Sequence, residues 1–298
     1  MVVLAMRSAW QGISQAFGLP RRGAALTVCG LIACGLAFGT APLAGAAWAG
    51  SVSHETDFRV KFGSVTIGKV TFGVATEGDH YVFTGKGRTQ GIAEWFAPGK
   101  ADMKSEGLVS GSEIVATSHF LSVSEGRKKS VLTMTFDKGA VRDVQLEPDD
   151  RKKKKPNKYV MIEPDDLKNV VDPASTMVVP VPLEKAGDPQ AVCGHSFHVY
   201  DGDTRFDIEL SYKRDAPIKT GGYDGYAYVC KLKYVPVAGH KRKHKSTERM
   251  AANEDMEIWL APINGGTEDQ SIFTAIRIDV PTWLGTFSAE PDYFGPAR

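Results

Sequence analysis

The sequence predicts a mainly β protein built as a curled antiparallel sheet or half-barrel with one or two short helices. Three observations lead there. Apolar and polar residues alternate in run after run. The runs are separated by short connections rich in Gly, Asp and Pro, which join antiparallel neighbours rather than parallel strands with crossover helices. Glycines also recur early, at Gly63, Gly68 and Gly73, where they let a sheet bend or bulge.

Taken in order, the chain opens with an export leader, residues 1–49. Arg7, Arg21 and Arg22 form its basic flank, Ala24 to Leu43 its apolar stretch, and Ala47-Trp48-Ala49 a small-residue cleavage site before Gly50. Two alternatives stay open: the stretch is nearly long enough to remain as a membrane anchor, and Leu31 to Gly35 resembles a lipobox that would make Cys34 a lipidated N-terminus. Arg21-Arg22 is ordinary basic flank, not a twin-arginine signal. The reading is a periplasmic protein whose mature part, residues 50–298, is one β-rich domain.

Strands are expected at Phe58 to Phe62, Val65 to Ala75, Tyr81 to Thr84, Ile114 to Val123 and Leu132 to Phe136. A second group follows at Arg205 to Tyr212, Tyr226 to Tyr234, Met256 to Leu260 and Ile272 to Val280. In the Arg205 run, Phe206, Ile208, Leu210 and Tyr212 face the core and the intervening polar residues face water. Tyr226, Tyr228, Cys230, Leu232 and Tyr234 are expected to share an inward face. Glu77-Gly78-Asp79, Asp137-Lys138-Gly139 and Tyr200 to Asp203 read as hairpin turns, with Asp201-Gly202 suited to a two-residue type I′ turn. Short helices fit Gly91 to Phe96 and the stretch after Asp172-Pro173, where Asp caps and Pro fits the first turn.

Charge limits the function. Of 36 basic side chains the leader holds three, leaving 33 against 35 acidic ones in the mature part, about −2 net. Nucleic-acid binding, which needs a basic field, is disfavoured. The charged stretch 147–166 alternates acidic, basic (Arg151 to Lys158) and acidic blocks and reads as a solvated surface loop. A second basic tract spans His240 to Lys245. Either tract is also suited to contact anionic headgroups or cell-wall polymers, so membrane association is peripheral at most after the leader is gone.

Candidate sites are few. Cys29 and Cys34 lie in the leader, so Cys193 and Cys230 remain as an even pair in an oxidising compartment and are read as one disulfide; two buried free thiols are the alternative. No catalytic, cofactor or metal site is assigned. His195 and His198 in a strand face opposite ways, His240 and His244 lie in a basic field that repels a divalent cation, and Asp201-Gly202-Asp203 lacks the other ligands of a calcium loop. The carboxylate pairs Asp149-Asp150 and Asp165-Asp166 sit in the charged loop, and no nucleophile motif is present. Trp95, Phe96, Trp259, Trp283, Phe287, Tyr293 and Phe294 are core residues by default, or the lining of an apolar groove.

The second half resembles a known family. Val171-Asp172-Pro173-Ala174-Ser175, then Val199-Tyr200-Asp201-Gly202 with Arg205 and Asp207, Cys230 leading to Tyr234-Val235-Pro236 and Gly239, and Val280 to Thr286 are similar to exported bacterial proteins catalogued as domain of unknown function 3108. The resemblance covers nearly the whole mature chain and treats both basic tracts as insertions. It implies a periplasmic envelope protein with a curled sheet similar to lipoprotein carriers and β-spiral envelope proteins, and no known catalytic residues. By that analogy the concave side could shelter a lipid, a lipoprotein segment or a peptide and support envelope integrity; the alternative function is a structural protein touching cell wall or membrane through its basic loops.

Overall fold

A computed structural model describes residues 54–149, 154–263 and 269–298, with the side chains of Ile92 and Phe96 excepted. The expected leader, with its cleavage and lipobox alternatives, and Asp150 to Lys153 lie outside the described residues.

Two meanders make one sheet. The first runs β1 (His54–Phe62), β2 (Val65–Glu77), β3 (His80–Thr89), β4 (Gly99–Ser110), β5 (Glu113–Glu125), β6 (Lys128–Asp137) and β7 (Ala140–Glu147). The second runs β9 (Ser196–Tyr200), β10 (Arg205–Thr220), β11 (Tyr223–Ala238), β12 (Glu257–Pro262), β13 (Gln270–Thr282) and β14 (Gly285–Pro296), with β8 (Val179–Pro182) paired to β13 off the main path. The first and last strands pair at the centre, His54 with Pro296 through Phe62 with Phe287, so the order is β7 to β1, then β14 to β9. Every ladder between these strands is antiparallel.

The inward residues of β1 to β3 show why the pattern folds this way. Phe58, Phe72 and Phe83 are each buried, and their rings meet edge-on or tilted at 5.4 and 5.1 Å. Gly85 leaves the room they need, since a Cβ there would stand 3.3 Å from the Phe72 ring. A bulge opposite Val60 and Lys61 adds local twist. It lies beside Gly68, where a side chain would collide with the Arg88 carbonyl at 2.9 Å.

The sheet curls without closing. β7 and β9 do not pair; residues 170–171 join their ends instead. Val170 N–H donates to the Gly139 carbonyl in the β6–β7 turn, and Val171 bridges Val199 of β9 in parallel. The β9–β10 loop also abuts β6, for a Cβ on Gly202 would come within 2.8 Å of Leu132. From there residues 172–182 run across the inward side, and Ala174, Val178, Val179 and Val181 are fully buried.

Three helices are described: α1 (Ile92–Phe96), α2 (Pro189–Cys193) and α3 (Lys245–Ala251). The first is the expected one. After Asp172-Pro173 the chain forms one 3₁₀ turn, Ser175–Met177, rather than a longer helix. Asp188 caps α2 by accepting from Gln190 N–H, with Pro189 in the first turn, the same Asp-Pro signal one segment later.

Two sequence expectations are corrected. Tyr226 is 69% exposed, whereas Ala227 and Val229 are buried: a bulge at Lys213, between the pairs Tyr212–Cys230 and Arg214–Val229, shifts the register, and the Tyr226 end of the hairpin turns its other side inward. The Asp201-Gly202 turn is a four-residue loop, not a two-residue type I′ turn. Only Gly202 has positive φ, and the Asp201 carboxylate accepts from the N–H groups of Asp203 and Thr204.

Cys193 and Cys230 form a disulfide with Cα atoms 5.4 Å apart, tying α2 to β11. Both are fully buried. Its 37-residue separation corresponds to roughly 4 kcal/mol of lost loop entropy in the unfolded chain. The double variant Cys193→Ala/Cys230→Ala is therefore expected to lower unfolding free energy by up to that amount in urea titrations without reductant. Dithiothreitol should bring the unmodified protein to the same midpoint.

Candidate functional site

A buried polar cluster lies where the crossing segment meets β3, β4 and β5. Asp172, Ser175, Ser105, His119 and Tyr81 are each at most 1% exposed. Five donors converge on the Asp172 carboxylate: Ser105 Oγ (2.7 Å), Ser175 Oγ (2.5 Å), the Ala174 and Ser175 N–H groups (2.9 and 3.1 Å) and His119 Nδ1 (3.0 Å). Tyr81 completes the set by donating to Ser175 Oγ at 2.7 Å. Burial alone would raise the Asp172 carboxyl, but the His119 ring and the two hydroxyls outweigh it and hold it down at about 2. Burial, and then the Asp172 charge, push the Tyr81 phenol well above its ordinary value.

Ser, His and Asp in contact invite comparison with a nucleophilic triad, and the geometry answers it. Ser105 Oγ and Asp172 Oδ1 both sit on the same ring nitrogen, Nδ1, at 2.8 and 3.0 Å. A relay needs the acid on one nitrogen and the nucleophile on the other. Here His119 Nε2 is buried without a partner among the described residues, and no side chain of the cluster reaches the surface. The arrangement pins the crossing segment to the sheet. Sequence reading saw Asp172 as a helix cap and as part of the Val171-to-Ser175 stretch that carries the family resemblance, not as the centre of a cluster. The missed signal was polar residues, Ser105 and His119, at inward positions of alternating strands, where a buried polar group must find a partner.

The other sequence candidates separate. His195 stacks on Phe197 at 5.7 Å, while His198 faces outward and bonds Asp207 at 2.7 Å. His244 bonds Ser246. Asp165 pairs with Lys168, and Asp166 accepts from the Glu163 N–H; Asp150 lies outside the described residues. The aromatics do not share a groove. Phe287 and Phe294 are core, Trp259 lies between Arg214 and Arg277 (5.5 and 5.2 Å), Tyr293 stacks under Arg298, and Trp95 and Trp283 are 87% and 68% exposed. The side chain of Phe96 is outside the described ones.

What the structure does bring together is the two basic tracts. Residues 158–160 run antiparallel to 239–242: Val160 N–H donates to the His240 carbonyl, Gly239 N–H to the Val160 carbonyl and Arg242 N–H to the Lys158 carbonyl, at 3.0, 2.8 and 2.9 Å. Arg242 Nε adds bonds to the Pro156 and Tyr159 carbonyls. Lys154 anchors the other end on the Asp203 carboxylate at 2.7 Å. Lys155, Lys158, Lys241, Arg242, Lys243 and Lys245 are all exposed on this one platform. Burial, and then the neighbouring Arg242 and Lys154 charges, lower His240 below its usual value, against the opposing bond to the Ala238 backbone. Such a field attracts anions.

The pinning role of the cluster is measurable. Asp172→Ala strands four polar partners and a buried His, so a loss of about 3–5 kcal/mol is expected in urea unfolding at pH 7; Ser105→Ala should lose about 1 kcal/mol. Because the folded carboxyl titrates at about 2, below its unfolded value, its contribution is complete above about pH 4 and disappears as pH falls toward 2. Stability over that window should therefore fall less steeply in Asp172→Ala than in the unmodified protein.

Comparison with known proteins places the chain in a family. No curated protein matches it. The crystal structure of a β-barrel-like protein of domain of unknown function DUF1849 from Brucella abortus is similar with a TM-score of 0.48 and 9% identity, covering 83% of this chain and 99% of that one. Residues 57–291 match the family described as protein of unknown function, DUF3108, and the chain belongs to that family.

Proposed function

We propose that this is a non-catalytic protein of the bacterial envelope, exported to the periplasm behind the leader 1–49, that works by adhering to an anionic envelope surface through its joined basic tracts. The backbone pairing of 158–160 with 239–242 carries the reading. Two tracts that would be separate mobile loops become one ordered platform, and ordered charges lose less entropy on binding than charges on free loops. The buried disulfide fits an oxidising compartment. Among the described residues no helix is long and apolar enough to cross a membrane.

The other reading, a lipid, lipoprotein segment or peptide sheltered in the curved sheet, has less support. The inward side of β3 to β5 holds the chain's own residues 172–177, bonded to Tyr81, Ser105 and His119. A guest there would have to displace a buried, paired carboxylate.

Charge reversal tests the proposal. Each lysine near an anionic surface contributes about 1 kcal/mol, so Lys155→Glu/Lys158→Glu/Lys241→Glu/Lys243→Glu should sediment with isolated cell envelopes roughly a thousandfold more weakly than the unmodified protein. Binding of the unmodified protein should fall steeply with added salt. Equal binding by the two, or binding indifferent to salt, overturns the reading.

A further inference from the structure

Antiparallel order places alternate hairpins at one end of the sheet. In sheet order these are the tips β5–β6, β3–β4, β1–β2, β13–β14, β11–β12 and β9–β10. Of the seven exposed large hydrophobic residues among the described ones, four stand on three adjacent tips of this end: Trp95 in α1 between β3 and β4, Val65 beside the β1–β2 turn, and Trp283 with Leu284 in the β13–β14 turn. Phe120, Leu183 and Tyr226 are elsewhere.

These tips touch one another. Gln90 N–H, at the β3–β4 tip, donates to the Ile67 carbonyl of β2, and Gly63 N–H, at the β1–β2 turn, donates to the Thr286 carbonyl of β14. The Phe62 and Phe287 rings pack beneath, 4.7 Å apart. Asn253 Nδ2 donates to the Pro281 carbonyl, and the Arg249 guanidinium lies 5.2 Å over the Trp283 ring, linking the β13–β14 tip to the β11–β12 connection. Cationic tips flank the apolar ones on both sides. Arg127, Lys128 and Lys129 are exposed at β5–β6; Lys241, Arg242, Lys243, Lys245 and Arg249 lie along the β11–β12 connection, where residues 240–251 hold one carboxylate, Glu248.

We infer that this end of the sheet docks on the surface of an anionic phospholipid bilayer, with Trp95, Val65, Trp283 and Leu284 entering the interface and the flanking cations meeting the headgroups. The inference rests on the anionic-surface reading above and names the surface. A hydrated polymer such as the cell wall would satisfy the cations and can stack a sugar face on an indole, but it offers no apolar layer for Val65 and Leu284 to enter. Indole sits at the boundary between headgroups and chains, with its ring in an apolar layer and its N–H in a wet one. An exposed apolar row rimmed by cations is the composition of an interfacial anchor. Glu94, on the same tip as Trp95, is exposed as well.

The test uses the exported chain with two probes: vesicles of phosphatidylglycerol and phosphatidylcholine, and dextran sulfate, which carries anionic charge without an apolar layer. The unmodified protein should bind both, and vesicles with brominated acyl chains should quench its tryptophan emission. Trp95→Ala/Trp283→Ala/Leu284→Ala should bind vesicles at least about tenfold more weakly while keeping its affinity for dextran sulfate. Equal vesicle binding by the two, or no quenching, overturns the bilayer inference. Binding to dextran sulfate but not vesicles does the same and leaves the anionic-surface reading standing; binding to neither overturns both. Because the substituted side chains are exposed, an unchanged urea midpoint is expected and certifies the fold.

Discussion

The shell depends on one carboxylate. Asp172 sits at zero exposure in the middle of the chain, and its five donors come from two strands and from the turn that follows it. A lone ion buried this way is costly; five hydrogen-bond donors, a histidine among them, make it tolerable. The same contacts stitch the crossing segment to the first meander, while Thr274 Oγ1 to the Met177 carbonyl and the β8–β13 ladder stitch it to the second. A sheet that does not close edge to edge needs such an internal tie. Here it is polar at one end and apolar at the other.

Much of this was legible in the sequence, and what was not has physical causes. The strongly alternating strands β2, β5, β6, β12 and β13 were all expected within a few residues, and β10 was expected from its true start but runs on from Tyr212 to Thr220. β4 was missed because Ser105 and Gly107 occupy inward positions: Ser105 serves Asp172, and Gly107 makes room for Tyr81, whose hydroxyl would stand 2.6 Å from a Cβ there. β14 was missed because Gly285, Pro291 and Pro296 interrupt its pattern. The residues that specify the core's geometry are those that hide its periodicity. The β11 face was misjudged for a different reason: Ala227 and Val229 are buried toward the hairpin end and Cys230 beyond it, a change of side that the strand's unbroken alternation does not reveal.

The surface shows the same limit at longer range. Each basic tract taken alone reads as a solvated loop. Their backbone pairing across some eighty residues of sequence, Arg242 with Pro156 and Tyr159 at separations of 86 and 83, turns two diffuse features into one site. Trp95 and Trp283 were likewise grouped with buried rings such as Phe294. Composition cannot separate an indole in the core from one on a hairpin tip; sheet order can, because it determines which turns share an end.

Sheet order also explains why a rigid shell suits a surface-binding edge. The tips are short, and Gly63 and Gly91 hold positive φ of 57° and 62° that other residues adopt only under strain. Hydrogen bonds from each tip to its neighbour hold the row in register. A flexible loop bearing the same tryptophans would surrender conformational entropy on every encounter with an interface; these tips have surrendered it on folding. The tie at Asp172 and the bridge at Cys193–Cys230 stiffen the body that carries them. Residues 172–182, laid across the inward side, act as part of that frame.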